Sequence, residues 1–420
     1  MKCRHCGSEL HLPFLDLGNA PPSNAYLTEA AIRAPEIWFP LRILVCESCW
    51  LVQTEDHAGR EALFTQDYAY FSSFSTTWLA HAQCYVAQMI KRFGLSAHSC
   101  VVEVAANDGY LLQYVKQAGI PCYGIEPTTS TASAARSKGI DIVERFFGVE
   151  LADELAQAGR QADLMAANNV LAHVPDINDF VAGFTRLLKP QGVATFEFPH
   201  LLRMVQENQF DTAYHEHYSY LSLTAVQRIF AANGLAVFDV EALPTHGGSL
   251  RVFAQRSDTG SHAQTPAVAT LMQVEAEAGM TTPAFYRDFQ HKAEKVKDDL
   301  LLFLIDAKHR GLKVGAYGAA AKGNTLLNFA GIRPDLLPYV ADKNPAKQGK
   351  CMPGSRIPIV DEAHLKAKQP DLILILPWNL REEVMAQLAY VQEWGGQFVT
   401  VVPVLTTFDS PMPNLFLSAW

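Results

Sequence analysis

A chain of 420 residues is long for one domain and predicts two or three. Hydrophobic residues make up 49% and charged residues 18%, an ordinary globular composition with ample core, and a net charge of −9 argues against a nucleic-acid backbone as the main partner. No apolar run reaches the ~18–20 residues that cross a bilayer, and the N-terminus lacks a basic-then-apolar export pattern, so the chain is expected to be cytoplasmic, without a membrane or nucleic-acid partner, its cysteines reduced, buried or metal-bound rather than bridged.

Two C-x-x-C knuckles come first. "CRHC" and "CESC" supply Cys3, Cys6, Cys46 and Cys49, the ligand set of a closed, tetrahedral, four-thiolate zinc site. The stretch between them, residues 7–45, is too long for a compact loop and must carry structure of its own. His5 sits inside the first knuckle as a bystander, and Cys84, Cys100, Cys122 and Cys351 are scattered as apolar fillers.

From Thr76 to Phe93 the apolar residues fall at helical spacing, among them Trp78, Ala82, Tyr85, Val86 and Met89. Strands and helices then alternate. "SCVVEVAA", "PCYGIEP", "ADLMAANNVL" and "VATFEFPH" read as strands, and "YLLQYVKQAG", "TASAARSKGI" and "INDFVAGFTRLLKPQG" as helices between them. This alternation predicts a parallel sheet covered by helices on both faces.

The turn after the first strand is "EVAANDGY", where a doubly wound sheet binds a nucleotide. No G-x-G-x-x-G is present. Ala105, Asn107 and Gly109 let the backbone approach a ligand, and Asn107 and Asp108 add polar groups. An acidic turn suits a cationic sulfonium with an amino-acid tail better than a pyrophosphate. Glu126 closes the next strand, in "GIEP", where a carboxylate can accept from ribose hydroxyls; its other reading is a charge at a helix N-terminus. Together these features favour S-adenosylmethionine over NAD.

Proton-transfer groups crowd into "FDTAYHEHYSYLSL". The segment is not the H-E-x-x-H of a zincin helix, since His215 and His217 are two apart. On a strand they would share a face and could converge on an ion, but no third ligand is nominated. Hydrogen-bonded histidines in a polar loop and acid–base catalysis are the other readings.

Residues 282–310 read as one long amphipathic helix, followed by the strands "LKVGAYGAA", "LPYVADKN", "PDLILILPWN" and "GQFVTVVPVL", a second Rossmann-type pattern. Its turn, "GAYGAAAKGNTLLN", is neither a Walker loop nor a dinucleotide fingerprint. Lys322 there could meet a phosphate beside the helix N-terminus, and Asp342 ends the next strand. Lys347, Lys350 and Arg356 follow, so the region fits an anionic small ligand or an ordinary solvated loop. Rival readings of the whole are an NAD-dependent oxidoreductase of a nucleotide sugar and a zinc-ribbon regulator that binds nucleic acid.

In this order and combination, the knuckles, "EVAANDG", "GIEP", "NNVLAHVPD", "YHEHYSY", "THGGSLRVF" and "GAYGAAAKGNTLLN" resemble the S-adenosylmethionine-dependent sugar C-methyltransferases, especially the C-3 methyltransferases of deoxysugars on nucleotide carriers. The resemblance covers essentially the whole chain. It implies an α/β protein with an N-terminal zinc-binding module (1–67), a class I methyltransferase domain with a doubly wound sheet (68–245) and a C-terminal Rossmann-like nucleotide-sugar domain (246–420). It implies S-adenosylmethionine and a structural Zn2+ as cofactors, and a nucleotide-linked 4-keto-6-deoxy sugar, expected on dTDP, as substrate. By motif, His217 matches the general base, Tyr214 and Glu216 its neighbours that hydrogen-bond the sugar or the base, and His173 a second active-site histidine. His215 reads as structural. Tyr68 matches a tyrosine that reaches the sugar, with Tyr70 an equal candidate. Glu103, Ala105, Asn107, Asp108, Glu126, Asn168 and Asn169 fall on the cofactor site, and Lys322, Asn324 and Asp342 on the nucleotide diphosphate. The implied chemistry explains the crowded segment: the ketone acidifies the neighbouring C3 hydrogen, an imidazole removes it near neutral pH, and a phenol or imidazolium stabilises the enolate oxygen.

Overall fold

The computed structural model describes residues 1–57 and 71–409, so Tyr68 and Tyr70 lie outside the described residues. The chain forms two compact units. One contains Met1–Phe14, Ile43–Met204 and Glu216–Arg287; the other contains Leu15–Arg42, Val205–His215 and the chain from Asp288 onward.

Strands β1 (Leu12–Ala20), β2 (Phe39–Val45) and β3 (Val52–Thr54) follow the first knuckle. β2 and β3 pair antiparallel, with Ile43 opposite Thr54 and Val45 opposite Val52. The second knuckle is the turn of this hairpin: Cys46 N–H donates to Leu51 O and Trp50 N–H to Cys46 O. Hairpin pairing therefore fixes the spacing of Cys46 and Cys49.

The helix Thr76–Phe93 forms where the apolar stripe predicts it. Ser75 caps its start by accepting from Trp78 N–H, and Gly94 ends it in the left-handed conformation that glycine adopts without strain. Next come β4 (Val101–Val104), β5 (Cys122–Ile125), β6 (Asp141–Val143), β7 (Ala162–Asn168), β8 (Leu188–Pro199), β9 (Ser219–Tyr220), β10 (Leu235–Leu243) and β11 (Ser249–Arg256). Seven of them build a sheet in the order β10-β11-β8-β7-β4-β5-β6. The pairs among β4 to β8 are parallel, as the alternating pattern implies. β11 runs antiparallel to both β8 and β10, a hairpin that strand–helix alternation does not reveal. Strand order reverses at β4, where a crevice opens at the strands' C-terminal ends.

β9 joins neither half of that sheet. It pairs antiparallel with β3, Gln53 opposite Ser219 and Val52 opposite Tyr220, giving the small sheet the order β1-β2-β3-β9. Two apolar clusters fill this unit, one around Tyr85, Leu111 and Phe253, the other around Phe184, Phe196 and Phe230. The second also contains Cys3, Cys46, Cys49 and Leu51, so the knuckles share a core with the methyltransferase sheet.

The helix read over 282–310 is two, Pro283–Arg287 at the end of the first unit and Phe289–His309 in the other, interrupted at Asp288. Strands β12 (Val314–Tyr317), β13 (Val340–Ala341), β14 (Ile359–Val360), β15 (Leu372–Ile375), β16 (Gln397–Thr400) and β17 (Thr406–Asp409) form a sheet in the order β14-β13-β12-β15-β16-β17, parallel except for β17. Among the described residues no helix is long and apolar enough to cross a membrane.

Candidate active site

The four knuckle thiols converge. Cys3 Sγ is 3.6 Å from Cys49 Sγ, Cys6 Sγ is 3.5 Å from Cys46 Sγ, and all four sulfurs lie within 4.8 Å of one another. A tetrahedral zinc ion with Zn–S bonds of ~2.3 Å needs sulfurs spread ~3.8 Å apart, so the donor set fits Zn2+. Gln53 Nε2 donates to Cys3 Sγ at 3.2 Å, a contact that favours the thiolate.

At the end of β4 the chain turns through three left-handed residues, Ala105 (φ 59°), Asn107 (φ 48°) and Gly109 (φ 75°). Only glycine fits at the third. A Cβ on Gly109 would stand 2.3 Å from Ile140 Cδ1 and 3.3 Å from Ala135 Cβ. Glu126, at the end of β5, accepts from Asn107 N–H at 2.9 Å and from Thr128 N–H at 3.0 Å, so it braces the turn. Burial raises its carboxyl, with the Thr128 donors opposing.

Asn107 and Asp108 face away from a purely ligand-binding role. Asn107 Oδ1 accepts from Ser72 N–H at 2.9 Å, and Asp108 Oδ2 from Ser73 N–H at 3.3 Å. Lys138 Nζ stands 3.5 Å from the same Asp108 oxygen. These side chains tie the short helical turn Ser72–Phe74 to the turn after β4.

Beneath the turn lies a set of buried acceptors. Neither oxygen of the fully buried Glu103 finds a donor at hydrogen-bond geometry among the described residues, nor do Asp108 Oδ1 and Asn168 Oδ1. Burial pushes the Glu103 carboxyl well above the usual carboxylate range, the Tyr110 hydroxyl opposing and Asp108 and Glu126 reinforcing. Acceptors gathered at the crevice suit a cationic, N–H-bearing ligand and repel a pyrophosphate. The α-ammonium of S-adenosylmethionine, near its sulfonium charge, is such a group, and Glu103, Asp108 and Asn168 would hold it.

Asn169 is also left-handed (φ 53°), and its Nδ2 lies 3.2 Å from His246 Nε2. The His246 ring is 5.0 Å from that of Trp78, which stacks on His81 at 4.9 Å. Glu197, at the end of β8, accepts from Arg251 Nη2 at 2.9 Å and lies 2.9 Å from His81 Nε2. Burial raises this carboxyl, but His81 and Arg251 outweigh it and hold Glu197 below the usual range. Sequence reasoning missed this group; its one local sign is the histidine of "THGG".

His217 follows immediately on Glu216 and is 9% exposed. Its ring meets the edge of His173 at 4.6 Å between centroids, with Tyr220 at 6.1 Å. His173 comes from the helical turn Leu171–His173 after β7. Burial lowers His173 to about 4, the Glu216 backbone opposing, so it is neutral at pH 7. His173 therefore brings no charge to this ring pair.

In the other unit, His215 Nε2 is 3.1 Å from Pro40 O and packs edge-on to Phe39, an anchoring arrangement. Tyr214 beside it is half-buried. Asp211 accepts from Trp378 Nε1 at 2.8 Å; burial pushes its carboxyl up to about 6, with Lys322 and Trp378 opposing. Lys322 Nζ donates to Asn379 Oδ1 at 2.8 Å and lies 4.5 Å from the Trp378 ring. Burial lowers Lys322, with Asp211 opposing. Asn324 is fully buried and accepts from Asn328 Nδ2. Asp342 accepts from Ala319 N–H at 2.7 Å and Asn344 N–H at 2.8 Å, bracing the turn after β12 as Glu126 braces the turn after β4.

Three sequence families match the chain in succession: "Putative zinc binding domain" over residues 3–64, "Methyltransferase domain" over 78–240 and "C-methyltransferase C-terminal domain" over 244–403. The C-methyltransferase NovU of Streptomyces niveus is 33% identical over 402 residues, 96% of this chain and 95% of NovU. Among solved structures, a magnesium protoporphyrin IX methyltransferase from Synechocystis PCC 6803 with bound SAH aligns with TM-score 0.35 and 17% identity over 43% of this chain and 83% of its own. YcgJ of Bacillus subtilis aligns with TM-score 0.34 and 16% identity over 42% of this chain and 99% of its own. Identity at this level along nearly the whole of both chains, with the three segments in one order, makes this protein a member of the C-methyltransferase family, an S-adenosylmethionine-dependent enzyme with a zinc-binding N-terminal region.

Proposed function

We propose that the enzyme methylates C3 of a nucleotide-linked 4-keto-6-deoxy sugar, dTDP being the carrier, with His217 as general base. The observation that carries this reading is the buried His217 ring set edge-on against a neutral His173. Bound S-adenosylmethionine supplies an electrophilic methyl group. The protein's own task is to make a carbon nucleophile. His217 takes the hydrogen that the C4 ketone has acidified, which leaves an enolate at C3 and C4. Tyr214 and Glu216 orient the sugar or the base, and by the resemblance Tyr68, or equally Tyr70, contacts the sugar, alongside a zinc-binding module of residues 1–67. His173, neutral, donates a hydrogen bond without adding charge to the site. Glu103, Ala105, Asn107, Asp108, Glu126, Asn168 and Asn169 form the cofactor side, within a methyltransferase domain of residues 68–245. The nucleotide is held in the Rossmann-like domain (246–420) at the turn after β12, with Lys322, Asn324 and Asp342 around it.

The test separates proton removal from cofactor binding. His217→Asn is expected to abolish both methyl transfer and solvent-deuterium exchange at C3 of a panel of nucleotide 4-keto sugars, while SAH binds with unchanged affinity by calorimetry. Exchange at the wild-type rate in His217→Asn would remove this residue from the base role.

A further inference from the structure

A closed four-thiolate site has no open coordination position, and its usual part is to hold a fold together. Here, however, the residues between and behind the zinc ligands reach the main chain at His217 and just beyond His173. Thr54 ends β3, the second strand of the hairpin whose turn carries Cys46 and Cys49, and lies opposite Ile43. Its Oγ1 donates to the main-chain carbonyl of His217 at 2.7 Å, and its N–H to the carbonyl of Tyr218 at 3.1 Å. One residue thus holds the two consecutive peptide groups that leave His217.

Arg4 lies between the ligands Cys3 and Cys6, and its side chain is 4% exposed. Nη1 donates to Pro175 O at 2.9 Å, two residues beyond His173; Nη2 donates to Thr54 O at 2.9 Å and to Asp56 Oδ1 at 2.9 Å. The guanidinium also lies 5.2 Å from the Tyr218 ring. Its planar fork therefore joins the chain after His173 to the chain after His217. Gln53 closes the circuit, accepting from Arg4 N–H at 2.9 Å while donating to the Cys3 sulfur at 3.2 Å.

We propose that Thr54 and Arg4 are positioning residues for the His217–His173 pair, through which the zinc knuckles set the placement of the general base. This rests on the reading of His217 as that base. The physical case is one of tolerance. Proton abstraction needs heavy atoms at hydrogen-bond distance, and an error of ~1 Å can cost ~100-fold in rate. His217 precedes β9, which has only two residues, so strand pairing alone gives it short support. The Thr54 side-chain hydrogen bond to its carbonyl fixes the backbone at that point.

Thr54→Val keeps shape and burial but deletes the donor to His217 O, and Thr54→Ser keeps the donor. Each is compared with wild type for zinc content, SAH affinity, the histidine Cε1–H NMR signals and turnover. Thr54→Val is expected to keep one zinc per chain and wild-type SAH affinity, to shift the His217 signal, and to lower kcat by about ten- to a hundredfold with an unchanged KM for S-adenosylmethionine. Thr54→Ser restores both signal and rate. Arg4→Lys, which keeps the charge and loses the fork, is the second variant and shifts the His173 signal as well. An unmoved His217 signal in Thr54→Val, or parallel loss of zinc and SAH binding, overturns the proposal. The NMR arm needs no substrate, so it stands or falls separately from the sugar: a wild type that turns over no nucleotide keto sugar sinks the reaction, not the positioning.

Discussion

His173 shows how burial can outweigh a hydrogen bond in tuning one side chain. Desolvation lowers it to about 4, against an ordinary value of 6.5, and no neighbouring carboxylate offsets this among its causes. A base whose folded-state value is depressed stabilises the fold where it is neutral in both states, above pH 6.5. That contribution, on the order of 3 kcal/mol, is lost as pH falls from 6.5 towards 4, because the unfolded chain takes up the proton first. Asp211 runs the other way: raised to about 6, it relieves the fold as pH falls through that value. Total stability therefore blurs the two, and the informative quantity is the difference between wild type and His173→Gln. Urea unfolding at pH 7.5 and at 4.5 is expected to show that difference shrinking markedly in acid. A difference independent of pH would mean that His173 titrates normally. Elsewhere at this scale, the residue types of the cofactor turn were readable, but not their partners. Asn107 and Asp108 look like ligands in sequence, yet spend acceptors on Ser72 and Ser73 amides 35 positions away. Arg4 and Thr54 look like nothing at all, because they act on backbone carbonyls that carry no residue identity.

The turn after β4 is the element whose geometry depends most on one sequence choice. Gly109 has φ 75°, and a Cβ there would meet the Ile140 side chain at 2.3 Å and the Ala135 Cβ at 3.3 Å. Gly109→Ala combines a strained backbone with overpacking, each costing ~1–3 kcal/mol. The expected outcome is a lower melting temperature together with SAH affinity weakened at least tenfold; wild-type affinity would show that the turn tolerates displacement. Elements of this kind were legible because their signals are local. Buried strands such as β4 and β7, the stripe of the helix Thr76–Phe93 and the glycine that ends it all lie within one window of sequence. The hairpin of β10 and β11 was not, since strand–helix alternation has no place for it and β11 gains its position from antiparallel pairing with β8. β9 is the extreme case: two residues that are a strand only because β3, over 160 positions earlier, lies beside them.

At the scale of the molecule, what the zinc-binding region contributes can be argued from its core. Cys3, Cys46, Cys49, Leu10 and Leu51 belong to the same apolar cluster as Phe196 of the methyltransferase sheet and Phe184 and Phe230 of the helices packed on it. The pairing of β3 with β9 adds a backbone connection between the two. A module with a core of its own would melt by itself when stripped of metal, because structural zinc contributes folding free energy outright. A module that shares a core cannot, since unfolding it exposes the apolar face of its neighbour. Zinc removal by a chelator at pH 7.5 is therefore expected to move the main calorimetric transition of the unit holding the SAH site to lower temperature, without a separate small transition appearing first. SAH added in excess should recover part of that shift, because a ligand of the native state stabilises whatever unfolds with its site. If chelation instead produces an early, independent transition and leaves the SAH-dependent one in place, the knuckles are an appendage, and the contacts of Arg4 and Thr54 carry no stability from metal to active site.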